Sequence, residues 1–289
     1  MSDEPKLPYA EVIGDPITQS KSPLIHGFWL TREQIDARYG ARKVTRETLG
    51  DYLSKARADQ YWRGCNVTMP LKQAALELVD ELEPEAQALG ALNTIYRGPD
   101  NQLIGTNTDV GGFLEPLREV LAAQHLFRMA RIIGTGGAAR AIVAGLIANG
   151  FTLVVAGRNV GKARMLLNEL TDEGEHYAVP LAHFAEPTEF PFDDRNGCLD
   201  LIVNASALGM KGNPLLRFDW SHAPPGSIVY DIVTSPLETH FVLSAREAGF
   251  ATISGLAMLV GQAALAFEKF FGVAPPRQFD DKLYEVLNK

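Results

Sequence analysis

The side chains best able to do chemistry fall in three short clusters: Ser20-Lys21-Ser22-Pro23, Asn66-Val67-Thr68-Met69-Pro70-Leu71-Lys72, and Asn93-Thr94 together with Asn107-Thr108-Asp109. Each interrupts an otherwise apolar segment just beyond a predicted strand, where open α/β sheets take their ligands. Hydroxyls, amides, an ammonium and a carboxylate form an inventory suited to a small polyhydroxylated molecule. Singly, each has a plainer reading: Ser22 caps a helix, Asn93 shapes a turn, Asp109 is an N-cap, and Lys72 is an exposed helix lysine. The spacing of Leu71, Ala75, Leu78, Val79 and Leu82 predicts a helix from about Pro70. Lys72 then falls in its first turn, where the positive end of the helix acts on its ammonium.

A second kind of chemistry is carried by Arg131-Ile132-Ile133-Gly134-Thr135-Gly136-Gly137-Ala138-Ala139, a strand running into G-x-G-x-x-A. Gly134 makes the turn, Gly136 lets the backbone approach a pyrophosphate, and the helix that follows offers free N–H groups. A tight βα turn with no ligand is the alternative; the βαβ setting argues for the dinucleotide. An NAD site carries Asp or Glu about 20 residues past the glycines. Here Phe151 to Ala156 ends in Gly157-Arg158-Asn159-Val160-Gly161-Lys162, without a carboxylate. The Arg158 fork can clamp a 2′-phosphate and Lys162 adds a second positive charge, which reads as NADP rather than NAD. Solvated surface cations are the alternative.

Positioning these groups requires two α/β units. The first opens with a strand at Tyr9 to Ile13 and a helix at Ser22 to Gln34, with Pro23 in its first turn, and has further strands at Gly64 to Val67, Leu92 to Tyr96 and Leu103 to Thr106. A helix from Val110 to Ala123 leads to the second unit. Its strands lie at 131–133, 151–156, 199–203 and 227–231, with helices at 138–148 and 160–170, an alternation that implies a parallel doubly wound sheet. Helices at Leu256 to Phe271 and Asp281 to Leu287 close the chain. On the first of these, Met258 and Gln262 share a face off the main apolar stripe, free to meet ligands.

The chain has 289 residues, about twice a typical domain length. Its 46% hydrophobic and 21% charged content fits a globular protein rather than a disordered or membrane chain. A net charge of -8 argues against general nucleic-acid binding, which needs excess Lys and Arg, so any anionic ligand must be held by a local cluster. Cys65 and Cys198 lie far apart and give no metal-ligand spacing, favouring a reducing cytoplasm over secretion. The polar Met1 to Leu7 start has no apolar leader, and the most apolar stretch is broken at Asn149-Gly150, so no membrane segment is expected.

Gly14-Asp15-Pro16-Ile17-Thr18-Gln19-Ser20-Lys21-Ser22-Pro23-Leu24-Ile25-His26 resembles the opening signature of the shikimate dehydrogenase family. Asn66 to Lys72, Gly90-Ala91-Leu92-Asn93-Thr94, Gly105 to Gly112 and Gly255 to Ala264 resemble that family in order and spacing, from about residue 9 to 272. The resemblance implies an N-terminal α/β substrate-binding domain, 1–110, completed by C-terminal helices 255–289. It implies a Rossmann-type doubly wound NADP-binding domain at 111–254, the two separated by an active-site cleft. Ser20 and Ser22 then hold a substrate carboxylate, Thr68, Asn93, Asp109 and Gln262 hold ring hydroxyls, and Lys72 with Asp109 forms the catalytic pair. Gly134 to Ala139, Gly157, Arg158, Asn159, Lys162, Ser206, Ile232, Gly255 and Met258 line the dinucleotide. The implied reaction is NADPH-dependent reduction of 3-dehydroshikimate to shikimate in aromatic amino-acid biosynthesis, by a monomer or homodimer. Lys72 gives and takes the proton, and no metal is called for because the ammonium can polarise the carbonyl.

The match departs in places. Thr234 stands in Asp231-Ile232-Val233-Thr234 where the family usually has a Tyr beside the substrate carboxylate; it keeps a hydroxyl but not the reach. Gly157-Arg158-Asn159 replaces Asn-Arg-Thr, Asn204-Ala205-Ser206-Ala207 replaces Asn-Ala-Thr-Ser, and Gly27 follows His26 in place of Asn. These changes suggest a divergent branch, with quinate or aminoshikimate as alternative substrates. Retention of Ser22 favours shikimate over quinate. A non-catalytic NADP-binding regulator is the alternative of another class, against which the intact Lys72 and Asp109 count.

Overall fold

The computed structural model describes residues 6–189, 192 and 195–288; most of the polar Met1 to Leu7 start lies outside them. The chain divides into two compact units, one of the residues up to Thr108 together with those from Val260 onward, the other of Asp109–Leu259.

The first unit is built from β1 (Tyr9–Gly14), α1 (Ser22–Arg32), β2 (Arg38–Lys43), α2 (Leu49–Ala58), β3 (Trp62–Val67), β4 (Glu81–Leu82), α3 (Pro84–Leu89), β5 (Thr94–Arg97) and β6 (Leu103–Thr106). Its sheet runs β2-β1-β3-β5-β6-β4, with β1 parallel to β2 and β3, and β5 antiparallel to β3 and β6. The parallel half brings the ends of three strands together. Gly14 O accepts from Val44 N–H at 3.2 Å, and Ile13 O from Thr68 N–H at 2.9 Å. A Cβ on Gly14 would lie 2.4 Å from Thr68 Cγ2, so only glycine lets these strand ends meet. Ile13, Trp62, Cys65, Leu71, Ile95 and Leu103 form one buried core.

The helix expected from Pro70 does not form. Leu71 N–H closes a turn on Thr68 O at 2.9 Å, and Leu76 N–H reaches Gln73 O at 3.2 Å instead of continuing an α ladder. The Lys72 carbonyl that such a ladder would use accepts instead from Leu92 N–H at 3.0 Å. The segment becomes a turn and a short 3₁₀ helix, Leu76–Leu78, ahead of β4. It buries Leu71 and Ala75 but exposes Leu78, so the apolar spacing reflected burial of two residues rather than a helical face. Lys72 therefore sits in a turn rather than at the start of a helix.

The second unit comprises α4 (Asp109–Leu114), α5 (Arg118–Ala122), β7 (Phe127–Ile133), α6 (Gly137–Ala148), β8 (Thr152–Gly157), α7 (Val160–Leu170), β9 (His176–Pro180), β10 (Cys198–Asn204), β11 (Ile228–Asp231), α8 (His240–Glu247) and β12 (Ala251–Ser254). Its six strands are all parallel in the order β12-β11-β10-β7-β8-β9, a doubly wound sheet. The helix expected over Val110 to Ala123 is interrupted by a 3₁₀ turn, Glu115–Leu117, where Pro116 has no N–H to give. Ile132, Val155, Leu201 and Val203 pack with Phe113, Ile142 and Leu146 on one face of the sheet.

On that sheet, Asp200 of β10 accepts from Arg131 Nη1 at 3.1 Å and from Arg195 Nη2 at 2.7 Å. Asp200 and Arg131 are buried. Burial pulls the Arg131 guanidinium down from its usual value and Asp200 pushes it back.

Two helices follow, α9 (Gly255–Phe271) and α10 (Asp280–Leu287). Among the described residues no helix is long and apolar enough to cross a membrane, and Cys65 and Cys198 are free thiols.

Candidate active site

In the first unit the predicted polar clusters converge on one buried network. Asn93, 3% exposed, lies just before β5. Its Oδ1 accepts from Thr108 N–H at 2.8 Å and from the Thr94 hydroxyl at 3.0 Å. Its Nδ2 donates to Thr108 Oγ1 at 2.9 Å and to Gln262 Oε1 of α9 at 3.4 Å. Asn66 Nδ2 joins by donating to Thr94 Oγ1 at 3.0 Å, and Asn107 Nδ2 donates to Ala91 O at 3.0 Å. Asn93 therefore ties two strand ends to a helix, and does more than shape a turn.

Ser22 opens α1 and is buried, but no side chain caps that helix; the hydroxyl of Ser20 only accepts from Ser22 N–H at 3.3 Å. The hydroxyl of Tyr39 in β2 donates to Asn66 Oδ1 at 2.6 Å. Burial pushes the Tyr39 phenol well above its usual range, so it stays protonated. Sequence reasoning missed Tyr39 because it missed β2; an aromatic between arginines carries no distinguishing signal. Between the two serines, Lys21 Nζ donates to Leu287 O of α10 at 2.5 Å. Thr68 and Lys72 are half-buried in the turn after β3, and Asp109 is the buried first residue of α4.

His26, also on α1, is fully buried against this cluster, stacked on Tyr39 at 3.9 Å between centroids and 2° between planes. Neither ring nitrogen has a hydrogen-bond partner, and burial pushes its pKa down to about 3. The unfolded chain, titrating near 6.5, therefore takes up a proton that the folded protein refuses. Stability from this site is complete above pH 6.5 and is lost as pH falls toward 3. Between pH 7.5 and 5 the loss is on the order of 2 kcal/mol. Urea unfolding at both pH values should show that loss in the wild type and much less of it in His26→Phe; equal losses would remove His26 as the cause.

In the second unit the glycine turn follows β7. Gly134 sits at φ +129°, and a Cβ there would come within 2.5 Å of Ala205 O, so backbone conformation and packing both demand glycine. At Gly136 a Cβ would stand clear of every described atom within 4 Å. Packing does not require that glycine, and its bare backbone leaves room for a pyrophosphate to approach. Thr135, Gly137 and Ala138 complete the turn, and Ala139 is fully buried where α6 packs on the sheet. A Cβ on Gly157 would lie 2.9 Å from Thr135 Cγ2, so the end of β8 abuts the glycine turn. Arg158 and Lys162 are exposed there, and their side chains make no hydrogen bond or ion pair with the described residues. Asn159 caps α7, its Oδ1 accepting from Lys162 N–H at 3.2 Å. A free guanidinium without a neighbouring carboxylate fits a dinucleotide with a 2′-phosphate.

Ser206 belongs to a loop fixed by Asn204, whose Oδ1 accepts from Ser206 Oγ at 2.7 Å and whose Nδ2 donates to Asp231 Oδ1 at 2.9 Å. Asp231 Oδ2 accepts from Thr239 at 2.5 Å; burial pushes its carboxyl up, against the pull of these hydrogen bonds. Ile232 N–H donates to Asn204 O at 3.1 Å. A Cβ on Gly255 would lie 2.5 Å from Ile232 O, so α9 starts where only glycine fits. Thr234 is half-buried beyond β11. Met258, expected to be free to meet ligands, is 7% exposed and packs into the second unit's core.

A doubly wound parallel sheet with a glycine turn, in one chain with a mixed sheet holding a buried amide network, defines a two-unit α/β protein of Rossmann type. Residues 12–95 match the family described as shikimate dehydrogenase substrate binding domain, and residues 255–279 the shikimate 5'-dehydrogenase C-terminal domain. The chain is 45% identical over 289 residues, covering 99% of both chains, to a protein of Sphingopyxis alaskensis named shikimate dehydrogenase (NADP(+)). It resembles the crystal structure of shikimate 5-dehydrogenase from Thermus thermophilus in complex with NADP(H) and shikimate, with a TM-score of 0.80, 32% identity, and coverage of 97% of this chain and 100% of that one. It also resembles quinate dehydrogenase from Corynebacterium glutamicum in complex with NAD, with a TM-score of 0.81, 27% identity, and coverage of 97% and 99%. The chain belongs to the shikimate dehydrogenase family.

Proposed function

We propose that this protein is an NADP-dependent shikimate dehydrogenase that reversibly reduces 3-dehydroshikimate to shikimate. The observation that carries this reading is the buried network of Asn66, Asn93, Thr94, Thr108 and Gln262 at the strand ends, beside the turn that bears Lys72. Amides and hydroxyls gathered in this way suit a ring with several hydroxyls, each of which can both donate to and accept from such a network. Ser20 and Ser22 bind the carboxylate in this reading, and Thr68, Asn93, Asp109 and Gln262 the ring hydroxyls.

NADPH, when bound, supplies the hydride. Gly134 to Ala139 at the start of α6 would hold its pyrophosphate, and Arg158 with Lys162 its 2′-phosphate. Lys72 donates a proton to the carbonyl oxygen as negative charge develops there, and takes it back in the oxidative direction. Asp109 orients the substrate hydroxyl beside the reacting carbon. We place the protein in the cytoplasm as a monomer or homodimer.

Absorbance at 340 nm tests this reading with shikimate, quinate and aminoshikimate, each against NADP and NAD. Turnover of shikimate with NADP is expected, and no turnover of any of these acids would overturn it. Because Thr234 lacks the reach of the family's tyrosine, quinate and aminoshikimate are the alternatives that the assay separates. Arg158→Ala should raise KM for NADP by roughly tenfold or more, the worth of one charge-assisted clamp, with little effect on KM for NAD. Equal effects on the two would remove Arg158 from the 2′-phosphate.

A further inference from the structure

We propose that Asp231 is a positioning residue for the nicotinamide half of the dinucleotide, acting through the two loops that one of its carboxylate oxygens ties together. The inference rests on the reading of Arg158 as the 2′-phosphate ligand and extends it to a buried group that takes no part in the chemistry above.

Strand order decides which half of the dinucleotide meets which loops. In the sheet β12-β11-β10-β7-β8-β9 the glycine turn follows β7, and Arg158 follows β8, its neighbour on one side. A dinucleotide with its pyrophosphate on that turn and its 2′-phosphate at Arg158 must extend its other half toward the ends of β10 and β11. The loop after β10 reaches the turn directly, since a Cβ on Gly134 would lie 3.0 Å from Ser206 N.

Asn204 ends β10 and Asp231 ends β11, both buried. Asp231 Oδ1 accepts from Asn204 Nδ2 at 2.9 Å and from Val233 N–H at 3.0 Å, so a single oxygen sets the spacing of the two loops. Asn204 Nδ2 also donates to Leu208 O at 3.0 Å. With both amide protons committed to acceptors, Asn204 turns Oδ1 to Ser206, accepting from its N–H at 3.1 Å and from its hydroxyl at 2.7 Å. Leu208 N–H closes the loop on Ser206 Oγ at 3.1 Å. Each hydrogen bond from Asp231 to Ser206 runs in one direction only, so the carboxylate selects one conformation of the loop. Its second oxygen serves a different end: Oδ2 accepts from Thr239, whose Oγ1 caps α8 by accepting from Val242 N–H at 3.2 Å. The anchors for pyrophosphate and 2′-phosphate lie beyond β7 and β8, so loosening these loops frees the nicotinamide ring without releasing the dinucleotide.

Titration of the full-length protein with NADPH, followed by nicotinamide fluorescence, tests this without turnover. In Asp231→Ala the Kd for NADPH should stay within about threefold of wild type, because the phosphate contacts that carry affinity are intact. The anisotropy of bound NADPH should fall by about a third, the step from a rigid to a mobile group. The single-turnover rate of shikimate oxidation, with enzyme in excess over NADP, should fall roughly 10- to 100-fold through lost alignment. Asp231→Asn should restore anisotropy and rate to within about twofold, because its Oδ1 still accepts from both N–H groups. Thr239→Val should lower Tm by about 2–4 °C, the worth of a lost cap, and leave the anisotropy unchanged. Unchanged anisotropy in Asp231→Ala, an equal fall in Thr239→Val, or no rescue by Asp231→Asn would overturn the proposal while leaving the dehydrogenase reading intact. A wild type with no preference for NADPH over NADH would instead sink the Arg158 reading and this inference with it. If Asp231→Ala does not fold, Asn204→Ala must give the same fall in anisotropy; no fall overturns the proposal.

Discussion

Lys72→Ala is expected to lower kcat by about 10²- to 10⁴-fold, the usual worth of a positioned general acid, with KM for NADP within a fewfold of wild type. Reduction of a ketone builds negative charge on oxygen, and without a nearby acid that charge must await a proton from water. The turn that carries Lys72 is fixed through backbone, by Leu71 N–H to Thr68 O and Leu92 N–H to Lys72 O, so truncating the side chain leaves its frame in place. Lys72→Arg should fall nearly as far, because a guanidinium keeps its proton at any working pH. Steady-state kinetics in both directions check this; an unchanged kcat in Lys72→Ala would remove the residue from proton transfer.

Asp200→Ala should destabilise the folded protein by about 3–5 kcal/mol, the cost of leaving a buried charge unpaired. Arg131 and Arg195 retain only 10% and 19% side-chain exposure, so neither guanidinium can turn to water when its carboxylate is lost. Replacing Asp200 by Leu together with both Arg131 and Arg195 by Met should recover most of the loss, since apolar side chains need no partner. Equilibrium unfolding in urea separates the outcomes. A loss under about 1 kcal/mol in Asp200→Ala would mean that water reaches the ion cluster.

The dinucleotide turn was legible because backbone geometry leaves its mark on residue type: Gly134 is demanded by φ and by Ala205, and Ala139 by packing of α6. The amide network was legible through its unusual amides and hydroxyls at strand ends. Three things were not. The turn at Pro70 to Leu78 reproduces helical spacing at its buried positions, and only the long-range hydrogen bond from Leu92 reveals that the Lys72 carbonyl is used elsewhere. β2 reads Arg-Tyr-Gly-Ala-Arg-Lys, with none of the alternation of a strand half-buried in a core, because it pairs on one side only; Tyr39 vanished with it. Helix periodicity puts Met258 on a stripe apart from the main apolar one, but does not say which surface a second layer covers.

The composition of β2 has a consequence beyond the site. An edge strand offers a row of open amides and carbonyls to any other edge that reaches it, which is how sheets polymerise. Arg38, Arg42 and Lys43 stand exposed along this edge, Arg42 on Glu11 at 2.8 Å and Lys43 on Asp15 at 3.2 Å, so a second edge drawing in there would have to strip water from charged side chains before a single interchain bond could form. Exchange of these three for threonine or valine would remove that cost and leave a strand open to pairing with another edge.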